Sequence, residues 1–139
     1  MDETRRKGPS PVEANSKNLK NDILRHIEYT LGNDPHQPDS FSCFLGLAYS
    51  LRDRLIRRWM ETQRSLYDTL SKRVYFLSLE FLPGRFLKNY LISLDILEQA
   101  RRVVGDMGFD LDELEEEEWD AGLGNGGLGR LASCYLDSM

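Results

Sequence analysis

Five glycines fall within eight residues at Gly122-Leu123-Gly124-Asn125-Gly126-Gly127-Leu128-Gly129, and Arg130 to Leu136 then read as the opening of a helix. Glycine lets the backbone take positive φ and lets a ligand come close to main-chain N–H groups. A helix N-terminus adds unpaired donors and a partial positive charge. Together these suit an anion, such as phosphate or a sugar carrying one. The same density of glycine also suits a tight structural turn, and the residue types alone leave both readings open. Gly122-x-Gly124-x-x-Gly127 fits the dinucleotide fingerprint, but that pattern needs a preceding strand and an acidic residue about 20 positions later. Here an acidic run precedes the glycines and only ten residues follow Gly129, so a dinucleotide site is not expected. No Gly-Lys-Ser/Thr is present, which excludes a Walker loop.

Other chemistries find little support. Cys43 and Cys134 lie far apart without CxxC spacing, and His26 and His36 make no ligand pattern with them. A reduced, cytosolic, metal-free protein is the expectation. The 139 residues carry a net charge of −5, which argues against a general nucleic-acid binder with its basic patch. No apolar run approaches the roughly 18 residues of a membrane span, and Met1 to Lys7 lead into no apolar h-region. Neither a membrane protein nor a secreted one is expected.

The charge is uneven, +3 over residues 1 to 73 and −8 over residues 74 to 139. Most of that excess comes from eight carboxylates between Asp110 and Asp120, interrupted only by Leu111, Leu114 and Trp119. A contiguous run of this kind reads as a short surface helix whose carboxylates face water rather than as a convergent cation site.

Several elements must position the glycine loop. Residues 1 to 15 mix charge with Gly and Pro and show no hydrophobic period, the pattern of a mobile arm. Ser16 offers a cap to a first helix in which Leu19, Ile23, Ile27 and Leu31 recur every four residues before Gly32. His26 on that helix reads as a surface or boundary residue. Residues 32 to 40, rich in Gly, Asn, Asp and Pro, form a loop. Asp39 or Ser40 then caps a longer helix with the stripe Phe44, Ala48, Leu51, Leu55 and Trp59, on which Asp53 and Arg57 are spaced to pair.

After Lys72 the apolar run Arg73 to Phe81 suits a strand buried on both faces of a parallel sheet, ended by Pro83-Gly84. Phe86, Leu87, Tyr90, Leu91, Leu94 and Leu97 restore the helical period, and Ala100 to Val104 extend it or start another turn of helix before Gly105 and Gly108. The chain thus reads as α/β: a flexible arm over 1–15, a helical region over 16–72 and the start of an α/β domain over 73–139. One strand without visible partners cannot satisfy its own backbone groups, which predicts helices that fold loosely, or not at all, in isolation.

The glycine loop with its flanks, Asp120-Ala121 before it and Arg130-Leu131-Ala132 through Leu136-Asp137-Ser138-Met139 after it, resembles that of the α-glucan phosphorylases, the glycogen, starch and maltodextrin phosphorylase family. The resemblance extends to Tyr75-Phe76-Leu77-Ser78-Leu79-Glu80-Phe81 with Gly84-Arg85, and to Leu47-Ala48, Arg52-Asp53, Arg58-Trp59 and Thr62-Gln63. It covers about residues 16 to 139 and identifies the chain as an N-terminal fragment.

The resemblance implies a doubly wound, glycosyltransferase-B-like domain and a pyridoxal phosphate enzyme of glycogen metabolism. Such an enzyme uses orthophosphate to split the terminal α-1,4 bond of a glucan, releasing glucose 1-phosphate. It also implies that Gly126, Gly127 and Leu128 donate backbone N–H groups to phosphate, that Asn125 supports the loop, and that Glu80 lies near the active site. Glu80 could instead only cap a strand end, and Cys134 could be either near a subunit contact or a small buried hydrophobe. An effector site between subunits of a homodimer would take Tyr67, Gln63 and Asp34, although Arg64, Pro35, Gln37 and Pro38 depart from the animal pattern. Arg6 stands where the animal enzymes carry a phosphorylated serine, and Pro83 replaces an apolar residue. The family's cofactor lysine and second domain would lie beyond Met139, so this polypeptide alone is expected to be inactive. The alternative is a short dimerisation or binding module derived from the same family.

Overall fold

A computed structural model describes residues 16–139, with side chains from Asn18 onward. The arm expected over residues 1 to 15, with Arg6, and the capping hydroxyl of Ser16 lie outside the described residues. In chain order the elements are α1 (Ser16–Arg25), α2 (Ser40–Asp68), β1 (Phe81–Gly84), α3 (Leu87–Ser93), α4 (Leu97–Gly105), α5 (Leu111–Leu114), β2 (Ala121–Leu123) and α6 (Gly126–Ser138). A π-helical turn, His26–Thr30, prolongs α1, and a 3-10 turn, Glu115–Glu117, follows α5.

The first helix buries the stripe its spacing predicts. Leu19, Ile23 and Ile27 lie against Cys43, Leu47 and Leu51 of α2, and Leu87, Leu91, Ala100, Val103, Val104, Leu111 and Leu114 of α3 to α5 complete one core. Gly46 makes the α1–α2 contact close, since a Cβ there would sit 3.0 Å from both the Ile23 carbonyl oxygen and Ile27 Cγ1. Burial pushes the Cys43 thiol up to about 11, so it stays protonated in the core. At the head of α2 the Asp39 carboxylate accepts from the Ser42 N–H at 2.7 Å. Hydrogen bonds from Ser42 hold that carboxyl below its ordinary value.

Four expectations change. Trp59 is 59% exposed instead of closing the α2 stripe. The 29 residues of α2 run about 43 Å at 1.5 Å per residue, and its C-terminal half outlasts the short helices available to cover it. His26 is buried at 6% exposure. Its Nδ1 lies 2.9 Å from Thr30 Oγ1 and its Nε2 3.1 Å from Asp53 Oδ2. Asp53 pairs with Arg25 at 3.0 Å across the helix interface rather than with Arg57 on its own helix. Helix packing brings the Arg25–His26 pair to it, whereas an exposed i,i+4 pair is worth only a few tenths of a kcal/mol.

The third change concerns the strand. Residues 73 to 80 form no strand, and Val74 and Leu79 are 85% and 93% exposed. The ladder instead forms one step later, over the Phe81–Gly84 segment that contains the expected terminator Pro83-Gly84, and it is antiparallel to β2, pairing Phe81 with Leu123 and Gly84 with Ala121. Residues 73 to 80 have no neighbouring strand among the described residues, while β2 offers Phe81 a ladder. The sheet is small and lies outside the core cluster, which is formed by α1 to α5.

The acidic run is the fourth. Its apolar positions Leu111 and Leu114 are buried as expected, and Trp119 is not. Its carboxylates, however, form a strap across α3 and α4. Asp112 makes two bonds to the Arg101 guanidinium, at 2.9 and 3.2 Å, and Lys88 reaches Glu115 at 3.2 Å. Arg85 joins Glu116 at 2.8 Å and Asp120 at 3.4 Å. Glu118 caps α3 with both oxygens, accepting from the Phe86 N–H at 2.8 Å and the Leu87 N–H at 2.9 Å. The cations that collect these carboxylates lie 11 to 35 residues upstream, a pairing that local periodicity does not contain.

Gly46→Ala is expected to lower stability by about 1–3 kcal/mol because α1 must move away. Gly105→Ala, which meets nothing within 4 Å, should cost nothing; urea denaturation of both variants checks the contrast. Arg101 and Lys88 hold the Asp112 carboxyl below its ordinary 3.8. Its contribution to stability is therefore present above pH 3.8 and lost as pH falls through the lower folded value. The gap in urea midpoint between wild type and Asp112→Asn should be constant near neutrality and close as the pH is taken below 3.8.

Candidate functional site

The glycine loop turns from β2 into α6. Gly124 at φ +91° and Gly126 at φ +67° supply the left-handed backbone of the turn, and Asn125, in extended conformation, precedes the helix without a side-chain cap bond. Asn125, Gly126, Gly127 and Leu128 are all exposed. The first N–H groups of α6 therefore lack a side-chain acceptor at the helix start, which leaves a cluster of donors and the positive end of the helix dipole facing outward.

Residues 80 to 82 lie directly beneath the loop. A Cβ on Gly124 would come within 2.5 Å of Glu80 Cγ; one on Gly122 would come within 2.8 Å of Leu82 Cδ2, and one on Gly129 within 2.9 Å of Leu82 Cγ. Three of the five glycines thus answer to close packing, while Gly126 and Gly127 meet nothing within 4 Å. The two readings left open by the residue types divide between positions: Gly122, Gly124 and Gly129 are structural, and Gly126 and Gly127 keep backbone accessible.

Glu80 and Leu128 line one groove with Phe76, Leu79, Leu131 and Tyr135. One carboxylate oxygen of Glu80, Oε2, is buried and has no hydrogen-bond partner. The Ser78 hydroxyl binds the Glu80 backbone rather than its carboxylate. Of the expected site residues the structure brings Leu128 and Glu80 to one groove, with Gly124 packed on the Glu80 side chain, while Asn125, Gly126 and Gly127 stand exposed on the loop above. No lysine lines the groove, and Lys88 is engaged by Asp112 and Glu115.

The residues assigned to an effector site do not meet within this chain. Asp34 accepts from the His36 N–H at 2.9 Å in the loop before α2. Gln63 and Tyr67 sit more than 20 residues along α2, some 35 Å away at 1.5 Å per residue. The guanidinium of Arg73 lies 4.5 Å above the Tyr67 ring. Cys134 is exposed, so the small-buried-hydrophobe reading of it does not hold.

Sequence reasoning missed Leu82, Glu118 and Arg130. Arg130, in the first turns of α6, donates to the Leu82 and Pro83 carbonyls at 3.3 and 3.2 Å, tying the helix to β1. Its position directly after the last loop glycine was the available signal. Nothing local distinguishes Glu118 from its acidic neighbours.

The sequence profile of the carbohydrate phosphorylases matches residues 104–139, the stretch that holds α5, the acidic strap, β2 and the glycine loop. The chain is 47% identical to the human liver form of glycogen phosphorylase over 125 residues, 90% of this chain and 15% of that protein. It is 45% identical to the muscle form of Ovis aries over 133 residues, 96% of this chain and 16% of that one. Against the brain form of Bos taurus the identity is 48% over 121 residues, 87% and 14%. The chain belongs to the carbohydrate phosphorylase family. It spans about 15% of the length of the relatives it matches. Within this family member no described helix is long and apolar enough to cross a membrane.

Gly124→Ala and Gly129→Ala are each expected to destabilise the β1–β2–α6 unit by roughly 1–3 kcal/mol, through positive φ in the first case and overpacking in both. Gly127→Ala should be neutral or slightly stabilising, since the position is helical and open. Amide hydrogen exchange of α6 in the three variants checks the order.

Proposed function

We propose that this chain forms part of an α-1,4-glucan phosphorylase, in which orthophosphate cleaves the terminal α-1,4-glucosidic bond of a glucan such as glycogen and releases glucose 1-phosphate. The observation that carries the reading is the pairing of outward-facing N–H groups at the start of α6 with the unpartnered Glu80 oxygen below them. A buried acceptor without a donor costs about 1–3 kcal/mol, and a sugar hydroxyl supplies the donor. A phosphate dianion matches the N–H groups of Gly126, Gly127 and Leu128, and its charge keeps it on the loop side, away from the Glu80 carboxylate. The two contacts together orient a phosphorylated sugar. Asn125 fixes where the first of these N–H groups points.

Pyridoxal phosphate, when bound in the complete enzyme, would supply a phosphate that relays a proton. On this reading residues 16–72 are a dimerisation and effector region and 73–139 open a doubly wound, glycosyltransferase-B-like domain. Two copies pair through α1, α2 and the loop between them, which brings Asp34 of one subunit towards Gln63 and Tyr67 of the other. The protein works in the cytoplasm, and the 139-residue chain alone does not catalyse.

The test begins with the longest native product of the gene, recovered with an antibody to residues 110–120, and measures phosphate-dependent release of glucose 1-phosphate from glycogen and maltodextrin with pyridoxal phosphate present. Release by a product heavier than 16.1 kDa is the expected result. Leu128→Pro, which removes one N–H in a first helical turn that tolerates proline, should lower kcat by about 100-fold. No release of glucose 1-phosphate from any glucan overturns the reading.

A further inference from the structure

The β1–β2 ladder is too short to hold itself. It has two matched pairs, Phe81 with Leu123 and Gly84 with Ala121, and the register shifts between them. An isolated two-stranded ribbon is marginal at best. The glycine loop nevertheless leaves β2 directly, so the direction of its N–H groups depends on whatever fixes β2 against β1. Two sets of side chains do so. On the far side of the loop, Arg130 binds the Leu82 and Pro83 carbonyls. On the near side, Glu118, three residues before β2, grips the N–H groups of Phe86 and Leu87, immediately after β1. Arg85, the residue between β1 and that cap, binds Glu116 and Asp120 on either side of Glu118.

These bonds span the point where both strands end, next to the Gly84–Ala121 pair. Glu118 is partly buried and uses both oxygens on main-chain donors of the α3 start, which gives it a single geometry. Its neighbours Glu116 and Asp120 reach one guanidinium from both sides, so that the strap cannot slide by a residue without breaking both ion pairs. A one-residue slip would turn every side chain of β2 to the opposite face and every N–H of it to the opposite edge.

We propose that Glu118 and Arg85 are positioning residues for the glycine loop, setting the register of β2 and so the direction in which the first N–H groups of α6 point. The functional meaning of this assignment rests on the anion-binding reading of the loop; the geometric claim does not. It makes the acidic strap part of the phosphate site without any of its carboxylates touching phosphate.

Amide exchange followed by NMR in the full 139-residue chain tests it. Glu118→Gln keeps the side chain's size but leaves one acceptor for two donors, and should speed exchange of the ladder amides around Leu123 and of the hydrogen-bonded α6 amides beyond its first turn by roughly fivefold, the scale of a lost cap. The core amides of Leu47 and Val103 should not move. Arg85→Gln should act in the same way and Arg85→Lys should restore part of the protection. Glu113→Gln, a carboxylate of the same strap that makes none of these bonds, should leave the loop unchanged. Unchanged loop exchange in the Glu118 and Arg85 variants overturns the proposal. So does acceleration shared equally by the core amides in both, because the residues would then hold the whole fold and not the loop. Inorganic phosphate titrated into the wild-type chain separates this from the functional reading. Shifts confined to Gly126, Gly127 and Leu128, weakened at least fivefold in affinity by Glu118→Gln, support both. A wild-type loop blind to phosphate, with the exchange pattern intact, defeats the anion site and leaves the register assignment standing.

Discussion

A loop that presents bare main-chain N–H groups must be held open by something other than itself, because those donors otherwise turn inward to find acceptors. Here the constraint is met by contact from below. Glu80 and Leu82 press so closely against the loop that a side chain at 124 or 129 would force them to shift, while Gly122 meets the end of the Leu82 side chain and Gly126 and Gly127 face outward. The composition of the loop follows from that division of labour: some glycines admit neighbouring side chains, others leave the backbone exposed. Removing the close approach would leave five flexible residues with no preferred direction, at the entropic cost glycine always carries.

What lies beneath the loop is itself anchored through the helical core. The α1–α2 contact at Gly46 sets the platform, α3 to α5 pack against it, and the acidic strap then draws its carboxylates onto Arg85, Lys88 and Arg101. These ion pairs are exposed and individually weak. Their value is geometric: several of them share one strap, so each carboxylate already held lowers the freedom lost in fixing the next.

The parts of this protein legible in the sequence are those governed by short repeats. The four-residue spacing of Leu19, Ile23 and Ile27, the Asp39 cap and the burial of Leu111 and Leu114 are each decided within one or two helical turns. The glycine loop was legible for the same reason. The strand over 73 to 81 failed because an apolar run records a demand for burial and not the identity of the partner. With β2 the only ladder described, pairing began at Phe81 and the preceding residues stayed exposed. Trp59 failed for a related reason: its helix keeps its period past the point where its neighbours end.

The carboxylates show the boundary between the two kinds of information most plainly. Composition and spacing established that residues 110 to 120 form a short acidic helix beside a glycine-rich turn, and resemblance of that turn and its flanks pointed to the family to which the chain belongs. They could not distinguish Glu118 from Glu117 or Glu113, since the donors it caps are 31 and 32 residues away. Nor could they tell that His26 faces Asp53 across a helix interface, or that Glu80 keeps one oxygen buried without a donor under Gly124. Local sequence fixes local backbone because helix and turn energies are decided by neighbours in the chain. Which side chains meet is decided by packing, where pairs distant in sequence compete for the same partner and only the assembled fold selects the winner.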